Sequence, residues 1–153
     1  MPYEYKLLRQ VEFADTDMAG IMHFASFFRF MEAAESAFFR SLGISIWPGK
    51  SGEPVGWPRV HADCDFRHPL KFEDIVEVHL LVREKRSKAI AYTFIFRKLG
   101  EQPTREVARG SIVVACVTRE PGSGKLKSVP IPNTIADKIE VAPKELLERS
   151  PHD

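Results

Sequence analysis

The sequence predicts an α+β fold in which five antiparallel strands curl around one long helix. Three observations lead there. Apolar residues between Phe24 and Leu42 recur at steps of three and four, the period of one helix face. The runs before and after that stretch alternate apolar and polar residues, as half-buried strands do. Short turns join the later runs, so neighbours pair antiparallel, and the buried face of such a sheet needs an apolar cylinder of the kind the helix supplies.

Residues Tyr5–Phe13 alternate loosely, with Leu7, Val11 and Phe13 on the side to be buried. A loop carrying Asp15, Thr16, Asp17 and Gly20 ends this strand. The helix face is Phe24, Phe27, Phe28, Met31, Ala34, Phe38 and Leu42, and Gly43 stands where a left-handed residue closes a helix. Ser45–Pro58 is dense in proline and glycine and reads as an ordered loop. Its Trp47 and Trp57 are expected to pack on the core or line a pocket. Val60–Phe66, Val76–Arg83, Ala89–Lys98 and a long Arg105–Thr118 read as strands, with a charged turn at Glu84–Lys88. A short helix is expected within Pro132–Ile139, and the last ten residues are expected to fray or form a loose turn.

The whole chain, 1–153, is expected to be one domain with its core at about 5–132 and a tail at 133–153. A net charge of +1 supplies no global field for nucleic acid or an anionic membrane, so neither is expected as a partner. No run approaches the ~18 apolar residues of a membrane span, and no secretory leader is expected. Cys64 and Cys116 lack metal-type spacing and read as buried free thiols, which points to a reducing, cytoplasmic setting. One helix covers one face of the sheet and leaves an edge strand open, so a homo-oligomer, dimer or tetramer, is expected.

The chemistry concentrates in Val11–Phe24. A carboxylate set before a helix N-terminus places a base or nucleophile beside a positively polarised donor, an arrangement suited to attack on a carbonyl. Asp15 and Asp17 are the candidates, Asp15 leaning towards loop bracing. A metal held by Asp15, Asp17 and His23 matches no standard spacing, and neither a metal nor a cofactor is expected. Glu35 interrupts the helix seam and reads as a buried pair or a pocket rim.

Phe13-Ala14-Asp15-Thr16-Asp17-Met18-Ala19-Gly20-Ile21-Met22, followed by Phe27-Phe28-Arg29-Phe30-Met31-Glu32, resembles the opening of hotdog-fold acyl-CoA thioesterases. The nearest group is the 4-hydroxybenzoyl-CoA thioesterase and YbgC-like family. Asp65-Phe66 and Pro69-Leu70-Lys71-Phe72-Glu73-Asp74 extend the likeness, which covers about residues 5–132. The resemblance implies a hotdog fold and hydrolysis of an acyl-CoA thioester. It makes Asp17 the nucleophile or general base, Phe24 the donor of the backbone N–H that binds the thioester oxygen, and Gly20 the residue that brings the loop close to substrate. His23 and Trp57 are expected at the substrate, and the basic hairpin of Lys85, Arg86 and Lys88 at the phosphates of coenzyme A. The histidine falls one place earlier than in many members, and Ser26 stands where many have Asn. A carrier-protein thioesterase and a non-catalytic acyl-thioester binder are the rival readings.

Overall fold

The computed structural model describes residues 1–48 and 53–148; the middle of the proline/glycine loop, 49–52, and the end of the tail, 149–153, lie outside the described residues. Strand β1 (Glu4–Gln10) leads through a 3-10 turn (Phe13–Asp15) to helix α1 (Phe24–Ser41). Strands β2 (Arg59–Phe66), β3 (Ile75–Lys85), β4 (Ala89–Lys98) and β5 (Arg105–Ala115) follow. They form one sheet in the order β1-β3-β4-β5-β2, every pair antiparallel. This is the hotdog arrangement: a five-stranded sheet with the helix packed against it.

The helix binds the sheet through its aromatic side chains. Phe27 meets Phe96 edge-on with centroids 5.2 Å apart, and Phe38 meets Tyr92 at 6.4 Å. Met31 lies over Gly110 of β5 so closely that a Cβ there would fall 2.4 Å from its terminal methyl and 2.5 Å from the Asp63 carbonyl oxygen. The Met31 side chain fits there because β5 carries none at Gly110.

Several boundaries differ from expectation. β1 stops at Gln10, and Phe13 turns outward in the 3-10 turn. Phe24, assigned to the buried helix face, is 62% exposed, whereas Phe30 and Phe39 are buried. The helix therefore buries a wider arc than one stripe and keeps its first residue free. The expected long last strand breaks at Cys116, whose N–H donates to the Lys88 carbonyl. The chain then forms a small separate hairpin of β6 (Val117–Arg119) and β7 (Leu126–Ser128). One-turn helices follow at Asn133–Ala136 and Lys144–Leu147. The described tail docks on the outer sheet face: Ala142 packs with Leu81 and Ile95, its N–H donates to the Val82 carbonyl, and Arg109 holds the Leu147 carbonyl.

That outer face also carries a polar ladder. Arg97 donates to Nδ1 of His79 at 3.0 Å and to Glu77, leaving His79 Nε2–H to donate to Glu4 at 2.7 Å. Burial pushes the His79 imidazole below its ordinary value, in keeping with this neutral form. No described helix is long and apolar enough to cross a membrane. Cys64 and Cys116 are free thiols, and burial pushes that of Cys64 up to about 12.

On the inner side Glu35 is fully buried. One oxygen accepts from Arg59 of β2; the other, like the buried Tyr92 hydroxyl, has no partner among the described residues. Burial outweighs Arg59, with Glu32 adding repulsion, and raises the Glu35 carboxyl from 4.5 to about 7. Between those values the folded chain holds a proton that the unfolded chain has lost, so this group's contribution to stability falls as pH rises from 4.5 to 7. Urea titrations of wild type and Glu35→Gln across that window are expected to diverge by about 3 kcal/mol, the linkage value of such a shift. Parallel profiles would refute it.

Candidate active site

Backbone hydrogen bonds fold residues 15–23 into a compact loop. Asp17 N–H donates to the Ile21 carbonyl at 2.9 Å, and Gly20 N–H returns to the Asp17 carbonyl at 3.0 Å. Gly20 sits at φ +81°, a turn that a side chain would strain. Met22 N–H then donates to the Leu70 carbonyl at 2.7 Å, joining the loop to the segment after β2.

The two aspartates face different tasks. Asp15 spends its carboxylate on the Glu12 N–H at 2.9 Å, bracing the 3-10 turn as expected. Asp17 accepts the Ala19 N–H on Oδ1 at 2.8 Å, which fixes the side chain, while Oδ2 has no hydrogen-bond partner among the described residues.

His23 caps α1. Its Nδ1 accepts the Ala25 N–H at 3.0 Å, which leaves the proton of the neutral ring on Nε2, and its carbonyl accepts the Ser26 N–H at 2.9 Å. The Phe24 N–H, just before those two capped donors, is one of the orphan donors every helix start carries, here without a backbone acceptor among the described residues. The ring of Phe24 stacks on His23 with centroids 4.5 Å apart.

Asp17 and Phe24 line the same cavity of about 390 Å³, with Ile21, Met22, Phe27, Phe66, Arg67, His68 and Pro69 completing its wall. Phe27 and Phe66 meet edge-on at 5.0 Å. The lining is a largely apolar, aromatic slot with one unengaged carboxylate oxygen and one helix N-terminus. Such a site can place a carbonyl between an attacking oxygen and a donor for the charge that develops on it. Among the described residues no group of three or more metal-ligating side chains gathers anywhere.

The remaining expected site residues lie apart. His23 is the cap and is not among the residues lining the cavity. Trp57 is buried against Phe39 at 5.7 Å and does not line it either. Lys85 donates to the Ala136 and Ile139 carbonyls, closing the short helical turn beside it. Arg86 pairs with Glu84 at 2.8 Å, and Lys88 projects into solvent with no side-chain partner among the described residues. Glu35 is in the core, away from the cavity lining. Phe66, Arg67 and His68 were not foreseen as wall residues. The sequence signal for them is the family pattern itself, which contains Phe66 in Asp65-Phe66 and brackets Arg67 and His68 before Pro69–Asp74.

A family model described as the thioesterase-like superfamily matches residues 11–139. A protein of Aquifex aeolicus (strain VF5), provisionally named an esterase, is 32% identical over 132 residues, covering 85% of this chain and 93% of its own. A 1,4-dihydroxy-2-naphthoyl-CoA hydrolase of Parasynechococcus marenigrum (strain WH8102) is 40% identical over 82 residues, 49% of this chain and 54% of that one, so this match spans about half of each. Among solved structures, the BH1999 gentisyl-coenzyme A thioesterase superposes with a TM-score of 0.73 at 29% identity, over 86% of this chain and 99% of that one. With the fold and most of the length matched, the chain belongs to the thioesterase-like superfamily.

Proposed function

We propose that the chain hydrolyses aroyl-CoA thioesters to the free acid and coenzyme A. The observation that carries this is the shared cavity: Asp17, which has one unengaged carboxylate oxygen, and Phe24 at the start of α1 line one aromatic-walled slot. Its phenylalanines suit a flat ring, and two of the relatives are named for aromatic acyl-CoA substrates, 1,4-dihydroxy-2-naphthoyl-CoA and gentisyl-coenzyme A.

In this reading Asp17 Oδ2 attacks the thioester carbon, and the carbonyl oxygen takes up negative charge against the Phe24 N–H, a type of donor worth roughly 3 kcal/mol. The coenzyme A thiolate then leaves without needing a strong general acid. The mixed anhydride that remains is cleaved by water, releasing the acid and restoring the carboxylate. A second route, with Asp17 drawing a proton from an attacking water, uses the same two groups. Gly20 lets the loop run close to the substrate. Lys88 and the solvent side of Arg86 are the free charges of the hairpin for the nucleotide phosphates, with Lys85 anchoring the hairpin's base.

The assembly is proposed to be at least a dimer formed through β2. That strand closes one side of the sheet, and Val60 and Phe66 on it remain 63% and 50% exposed. Sedimentation at micromolar concentration should give a dimer or larger; a monomer would oppose it.

The deciding experiment is a panel of coenzyme A esters, with one acyl group also supplied on carrier protein. Aromatic esters should exceed straight-chain ones in kcat/KM by about 10-fold or more, a margin of the size pocket shape supplies. Faster turnover of the carrier-protein ester would favour the carrier-protein reading, and binding without hydrolysis across the panel would favour a non-catalytic one.

A further inference from the structure

The strongest unexplained feature beside the cavity is Ser26. It is a hydroxyl residue in the first turn of an otherwise aromatic helix face, and it is 0% exposed. A Ser near a helix start ordinarily bonds neighbouring backbone within a few residues or points to water. This one does neither. Its Oγ donates to the Asp15 carbonyl at 3.0 Å and accepts from Arg29 Nη2 at 2.7 Å. The same Asp15 carbonyl also accepts the His23 N–H at 2.8 Å, so both lone pairs of one loop oxygen are held by the start of α1. Among the described residues the other side-chain hydrogen bond between this loop and α1 is the local cap of His23 on the Ala25 N–H, which does not reach back to the Asp17 end of the loop.

We infer that Ser26 and Arg29 are a positioning pair that sets the distance between the Asp17 carboxylate and the Phe24 N–H; this rests on the function proposed above. The attacking oxygen and the oxyanion donor belong to different backbone segments. One is a loop governed by its own internal hydrogen bonds, the other a helix governed by its packing on the sheet. Something must fix one against the other, because misplacement of about 1 Å can lower a rate by ~10²-fold. Ser26 does this from the helix side, two residues after the donor, on the carbonyl two residues before the carboxylate. Arg29 fixes the hydroxyl rotor: with its guanidinium donating, the Oγ lone pair is occupied and the Oγ proton is committed to Asp15. Neither residue lines the cavity, so neither is a catalytic residue.

The test uses the full chain and its best ester from the panel. Ser26→Ala should lower kcat by about 10- to 100-fold while KM stays within about 2-fold, at a temperature where circular dichroism shows the variant folded. Ser26→Asn should restore most of the rate, since its amide can donate to Asp15 and accept from Arg29 at once. Arg29→Leu should show a smaller loss that is not additive with Ser26→Ala, as expected of two residues acting through one contact. A kcat for Ser26→Ala within 2-fold of wild type, or a loss that Ser26→Asn does not recover, overturns the inference. So does a loss that only tracks the unfolded fraction. Failure of the functional reading looks different: wild type itself would hydrolyse no ester, and this inference would fall with it.

Discussion

Asp17→Asn is expected to lower kcat by about 10³-fold, within the range general-base and nucleophile removals give, while KM and melting temperature change little. The substitution is nearly isosteric. The Asn Oδ1 can still accept the Ala19 N–H that holds the side chain, so the loop keeps its shape. What is lost is the negative, unengaged carboxylate oxygen, which an amide nitrogen cannot replace as nucleophile or base. The pattern to look for is therefore a collapsed kcat with retained substrate binding, readable by equilibrium titration with an intact ester. Wild-type turnover in the variant would remove Asp17 from the mechanism. For the wild-type enzyme, a single turnover in ¹⁸O-water separates the two routes. Label in the Asp17 carboxylate marks the anhydride, and label only in the product acid, together with no acyl-enzyme mass adduct on rapid quenching, marks direct attack by water.

The second large effect is on the fold. Gly110→Ala is expected to destabilise the chain by about 1–3 kcal/mol, the usual range for overpacking. The added Cβ meets Met31 Cε at 2.4 Å and the Asp63 carbonyl oxygen at 2.5 Å. Met31 can swing its methyl away, but the Asp63 oxygen is backbone in the neighbouring strand β2, paired with β5 by Asp63↔Ser111 and Cys64↔Gly110. Relief therefore means parting β2 from β5 or lifting α1 from the sheet. Thermal unfolding should show a fall of several degrees, about 2–4 °C for each kcal/mol in a chain of this size. An unchanged midpoint would show that the helix can shift at no cost. Paired with Met31→Ala, the loss should shrink only in part, because the backbone clash remains.

Most of the fold was legible because it rests on periodicity. The apolar steps of α1 and the alternation of β3, β4 and β5 are local patterns, and each element lies close to where they put it. What periodicity missed was set by contacts between distant segments. Phe24 fits the helix stripe by spacing yet stays exposed, because at the very start of the helix it borders the cavity and stacks on His23. Phe66, Arg67 and His68 join the cavity because Met22 N–H reaches the Leu70 carbonyl, a pairing with no local signal. Of the two places open to Trp57, core or pocket, the structure shows the core, where the buried Phe39 is its partner, and not the expected place at the substrate. For the site, the family pattern singled out Asp17 and Phe24, which do share a cavity. It marked Ser26 only as standing where many members have Asn, because the importance of a serine lies in what it bridges.

The open side of β2 has a consequence for handling the protein. A strand with Val60, Ala62, Cys64 and Phe66 along one side and free backbone groups along its edge is a template on which other copies can stack. Its other side carries His61, Asp63 and Asp65, and a stack of identical chains in register would set each acid above its own copy. The alternation thus works as a guard against runaway aggregation, and neutralising Asp63 and Asp65 would remove it.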